Sequence, residues 1–156
     1  MCGDAFIVKL DATPSVLWAT YLGGTDADEL RALKVDDVGR VYVGGATSST
    51  NFPRVDAIAP ARARREAFAS VIAADGAKLL FSTTLGGSND DEVNALTVDA
   101  NGLVYLTGST ASTDFPVVAP YQSTKKPGDN GDAFVAKISV FGATPTPTAR
   151  RRAVTK

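Results

Sequence analysis

Shifted by 63 positions against itself, the chain aligns LGGTDADELRALKVDDVGRVYVGGATSSTNFP (22–53) with LGGSNDDEVNALTVDANGLVYLTGSTASTDFP (85–116). The two segments share 18 identities in 32 positions, where chance gives about two. A third element recurs around them: GDAFIVKL at 3–10, a diverged EAFASVI at 66–72 and GDAFVAKI at 131–138. The chain is therefore one unit written about twice, with a period of 62 to 66 residues. A period longer than a helix pair suits arrays and propellers.

Four short runs in the central copy are rich in β-branched and aromatic residues: ELRALKVD (29–36), RVYVGGAT (40–47), AFASVIAA (67–74) and KLLFSTTL (78–85). Turn chemistry separates them. In VDDVGR and its copy VDANGL, Asp36 or Asp99 can bond the backbone while Gly39 or Gly102 takes positive φ; Asp75 and Gly76 serve AADGAK in the same way. Four antiparallel strands per repeat follow. AFIVKL and AFVAKI do not alternate cleanly between apolar and polar residues, so both of their faces expect packing partners. Four-stranded sheets stacked face to face around an axis, the blades of a β-propeller, meet that demand. A four-stranded solenoid is the competing architecture.

With the four runs ordered from axis to rim, the acidic turn after each Leu-Gly-Gly becomes the crossover between blades. Gly23-Gly24 and Gly86-Gly87 allow the reversal, and the acids are expected to be solvated, so that Asp90 and Asp91 should tolerate Asn. The fold class expected is all-β, an incomplete β-propeller of about two repeats. Its boundaries would be 1–22 as the outer strand pair of a preceding blade, 23–85 as a complete blade, 86–141 as a second blade lacking its outermost strand, and 142–156 as a Pro/Thr-rich then basic disordered tail.

The motifs GDAFVAK, TYLGG with its acidic turn, VDANG followed by VYLTG, and STDFP together resemble the bacterial β-propeller repeat called SBBP. The resemblance covers residues 3 to about 138. It implies a propeller, commonly in exported or surface-associated bacterial proteins, and no defined catalytic residues. RVDAIAPARARRE departs from the glycine-rich connector expected of such a repeat.

Composition narrows function mostly by exclusion. The chain has no His, which removes Ser-His and Cys-His nucleophile pairs and the usual zinc ligand. Its single cysteine, Cys2, permits neither an internal disulfide nor a cysteine metal cluster. Net charge is −1 overall, and four cations sit in ARRRAVTK at the C-terminus, so the remainder carries about −5, which is no nucleic-acid footprint. The first residues lack a cationic start followed by an apolar run, and no apolar stretch approaches the roughly 20 residues of a membrane span.

Several side chains still deserve a chemical reading. Asp26, Asp28 and Glu29, with Asn89, Asp90, Asp91 and Glu92, could offer oxygen ligands to calcium, but their spacing is not that of a calcium loop, so a solvated turn is expected. Phe52-Pro53 and Phe115-Pro116 could form an aromatic platform, yet a Phe plugging the edge of its blade is the plainer reading. Trp18 is expected in interblade packing. Arg62, Arg64 and Arg65 lack interleaved aromatics and are expected in a charged loop or one helical turn. No catalytic, cofactor or metal residue is assigned. The expected role is structural or adhesive, through a protein or glycan partner, further propeller blades or self-association, in an extracellular or cell-surface parent protein. A carboxylate-dependent glycan hydrolase or lyase is the alternative.

Overall fold

A computed structural model describes residues 3–125 and 131–141. Cys2 and the basic tail lie outside the described residues. Among the described residues nine strands follow one another: β1 (Ala5–Leu10), β2 (Val16–Leu22), β3 (Asp28–Val35), β4 (Val41–Thr47), β5 (Glu66–Ile72), β6 (Leu79–Leu85), β7 (Asp91–Val98), β8 (Leu103–Thr110) and β9 (Asp132–Ser139). They form antiparallel sheets ordered β1-β2, β3-β4-β5-β6 and β7-β8-β9. No described residue is helical. The fold is all-β, and the described residues form sheets of two, four and three strands that do not close into a ring.

The hairpins form for the reasons their residues suggest. Gly39, Gly76 and Gly102 take φ of 85°, 74° and 76°. Asp36 Oδ1 accepts from the amides of Val38 and Arg40 at 3.1 and 2.9 Å, and Asp99 Oδ1 accepts from those of Asn101 and Leu103 at 2.9 and 3.0 Å. Each Asp thus supplies acceptors that the reversing backbone lacks. Gly76 has a second duty, because the Trp18 ring lies where a side chain would stand.

Packing explains the failure of clean alternation. Every residue of β4 and β5 is buried, because the central sheet is covered on both faces. Ile7 and Leu22 of the first sheet pack on Val41, Val43, Phe68 and Ile72. On the opposite face, Tyr42, Val71 and Phe81 meet Val93, Leu106, Phe134 and Ile138 of the third sheet. The connector after β4 then doubles back, and Val55 exchanges two backbone hydrogen bonds of 3.0 and 2.8 Å with Ser82 on the free edge of β6. This covers an edge that would otherwise invite pairing.

Both first strands carry a bulge at the same place, between Leu30 and Ala32 in β3 and between Val93 and Ala95 in β7. Opposite it, Gly45 and Gly108 leave room for the carbonyls of Glu29 and Glu92, where a Cβ would collide. The bulge turns Arg31 and Asn94 toward each other across the two sheets.

Candidate functional site

The acidic turn and the Ser-Thr-Asn/Asp-Phe-Pro segment are two halves of one clasp. Asp28, at 3% exposure, accepts through Oδ2 from the Gly24 amide at 2.7 Å and the Ser49 hydroxyl at 2.9 Å. Asp91, at 1%, repeats the pattern with the Gly87 amide and the Ser112 hydroxyl, both at 2.8 Å. Asn51 Oδ1 receives the Thr25 amide at 2.9 Å, as Asp114 Oδ1 receives that of Ser88 at 2.7 Å. Asp28 and Asp91 are therefore not solvated, contrary to the expectation from sequence. Only Asp26 and Asp90 of the turn's aspartates face water. The turn needs an internal anion because its reversed amides are shut away from solvent and must still find acceptors.

The backbone joins adjacent sheets at these same points. The Asp28 amide donates to the Gly3 carbonyl at 3.1 Å and the Asp91 amide to the Arg65 carbonyl at 2.9 Å. Beside the second clasp sits Glu66, 2% exposed, whose Oε2 accepts from the Arg62 amide at 2.9 Å. Burial raises its pKa, and the Asp91 charge pushes the same way against the Arg62 hydrogen bond. A raised acid stabilises the fold below the ordinary carboxylate range and ceases to as pH climbs through its folded value. Melting temperature is thus expected to fall as pH rises above that range, and Glu66→Gln to flatten this limb.

A charged cluster lies on the first strands. Arg65 reaches Glu29 at 2.9 Å and Glu92 at 3.3 Å, while Arg31 reaches Glu29 and Glu92 at 3.1 Å each and Asn94 Oδ1 at 3.1 Å. Two carboxylates share two guanidiniums. The hydrogen bond from Arg65, then that from Arg31, lowers the Glu29 pKa from 4.5 to about 2. A depressed acid contributes stability above its ordinary pKa and loses it as pH falls toward the folded value. Glu29→Gln should therefore weaken the acid limb of the melting profile between those two values.

The remaining candidates are absorbed into packing. Phe52 stacks on Phe68 with centroids 4.6 Å apart, and Phe115 on Phe134 at the same distance. Phe52 belongs to the apolar cluster between the first and central sheets, and Phe115 packs against the one between the central and third sheets. Trp18 packs between the first and central sheets and donates from Nε1 to the Ala74 carbonyl at 3.1 Å. Arg62 and Arg64 lie in a loop that ends where β5 begins.

Sequence reasoning missed Ser49, Ser112, Asn51 and Asp114 as clasp partners. Their fixed offset from Gly-Gly in both copies was the available signal. It also missed Arg31 and Asn94, because a bulge leaves no mark in strand periodicity.

Among the described residues, no three Asp, Glu, His or Cys side chains converge as a metal-ligand set. Melts in calcium and in chelator are expected to coincide, and a calcium-dependent rise would show that the turns bind the ion.

The β-propeller repeat family SBBP matches residues 17–53 and 80–116. Each match opens in an outermost strand, crosses the Gly-Gly turn and closes at Phe-Pro, so each contains a whole clasp. Among curated proteins none matches the chain.

Proposed function

From a chain built on β-propeller repeats of the SBBP family, we propose a non-catalytic scaffold whose blades and loops engage a protein or glycan, within a bacterial surface or secreted protein. One observation carries this reading. The polar residues that both copies repeat, from Asp28 with Ser49 to Asp91 with Ser112, are spent on fixing the crossover between one blade and the next, through the Gly24 and Gly87 amides. What repeats is the means of adding blades.

The alternative, a carboxylate-dependent glycan hydrolase or lyase, needs a proton donor near neutral pH. Glu29 and Glu92 are the acids best placed on the first strands, but Arg65 holds both in ion pairs, and its hydrogen bond, then that of Arg31, keeps Glu29 well below the usual carboxylate range. Incubation with a panel of bacterial polysaccharides separates the two readings. Retention of a polysaccharide without release of new sugar ends is expected, whereas release abolished by Glu29→Gln or Glu92→Gln overturns the scaffold.

A further inference from the structure

The two-stranded and three-stranded sheets are unequal parts of one four-strand pattern: β1-β2 fill its third and fourth places, and β7-β8-β9 its first three. β1 and β9 are thus the same strand twice. Both open Gly-Asp-Ala-Phe and carry a lysine five residues after the Asp, at Lys9 and Lys137. Their surroundings differ sharply. Phe134 is packed against the central sheet at 7% exposure, while its equivalent Phe6 is 68% exposed, opposite Tyr21 at 79%. Among the described residues β1 pairs with β2 alone, and beyond its other edge Leu33 and Val35 of β3 stand 56% and 47% exposed. These two pair with Val43 and Val41, which the first sheet covers, so they lie on the same face of the central sheet, beyond β1.

We propose that a second copy of this chain fills the gap by strand exchange. The β1-β2 hairpin of one copy pairs along β8 of another in place of β9, so that β7-β8 and β1-β2 from two chains complete one blade. The register follows from the existing pairs. Ser109 faces Ala133, Gly108 faces Phe134 and Tyr105 faces Lys137, so after exchange they face Ala5, Phe6 and Lys9. Phe6 enters the apolar cluster that Phe134 occupies, and the hydrogen bonds along β8 are kept. β2 adds a fourth strand beside the three that the described residues give the third sheet, and β7-β8 cover Leu33 and Val35. Against this stand the displaced Phe134 and Ile138. One strand leaves and two arrive, and the exposed apolar side chains of Phe6, Leu33 and Val35 are covered. The proposal does not depend on the scaffold reading above, since it follows from register and burial alone.

The test uses the full 156-residue chain with Cys2→Ser, Ala5→Cys and Ser109→Cys under mild oxidation. Positions 5 and 109 lie on sheets at opposite faces of the central one, so any bond between them joins two chains. Disulfide-linked dimers and larger species are expected on non-reducing gels. The control, Cys2→Ser with Ala133→Cys and Ser109→Cys, should close within one chain. Phe6→Ser should abolish the cross-link and turn concentration-dependent sedimentation into that of a monomer, without lowering the melting temperature, because Phe6 is exposed in the single chain. Closure of the control pair with no bond between positions 5 and 109 overturns the proposal. So does association that Phe6→Ser leaves unchanged.

Discussion

Replacing Phe68 by alanine is expected to remove about 4 kcal/mol of stability, within the roughly 3 to 5 kcal/mol typical of a buried Phe→Ala change. Phe68 is fully buried in β5, stacked on Phe52 and packed among Ile7, Leu22 and Val43. Its loss opens a cavity walled by two sheets, which backbone hydrogen bonding prevents from collapsing. Phe6 occupies the same place in its own strand but faces water, so Phe6→Ala should cost less than about 0.5 kcal/mol under conditions where the chain is monomeric. Urea denaturation of the two variants checks this, and equal costs would contradict the assignment of faces. The comparison holds strand type and residue type constant and changes only whether a neighbouring blade is present.

The strands were legible because each repeat writes its turns in Asp and Gly, whose backbone roles are local and nearly independent of context. Asp36 and Gly39 do what a six-residue window says they should. The order of strands and the double burial of the central sheet were legible too, since a strand that is apolar on both sides needs two partners. The clasp was not. Asp28 and Ser49 are 21 residues apart, and their meeting depends on the register of the β3-β4 hairpin, in which Asp28 lies opposite Thr47. Sequence marks Asp28 and Asp26 alike as acids in a turn, although one is buried and the other exposed. Arg31 was hidden for a related reason, because the bulge that aims it is permitted by Gly45 on the neighbouring strand.

The second large effect concerns the clasp itself. Asp91→Ala is expected to cost about 3 kcal/mol, because it strands the Gly87 amide and the Ser112 hydroxyl inside the crossover, at about 1 to 3 kcal/mol for each buried donor left unpaired. Asp90→Ala, one residue earlier and exposed, should cost no more than about 0.5 kcal/mol. Asp91→Asn should fall between them. The amide oxygen can take the place of Oδ2 and accept from the same two donors, while the charge that strengthens those bonds is lost. The other oxygen also matters, because Oδ1 of Asp91 is buried without a donor. Asn would place an NH2 there, exchanging an unpaired acceptor for an unpaired donor but avoiding the burial of a charge. Asn should therefore cost about 1 kcal/mol, the net worth of an ordinary hydrogen bond. At roughly 2 to 4 °C per kcal/mol for a chain of this length, thermal melts should rank Asp90→Ala, Asp91→Asn and Asp91→Ala in order of rising loss, with the last down by about 10 °C. Equal melting temperatures for Asp90→Ala and Asp91→Ala would return both aspartates to the role of solvated turn residues.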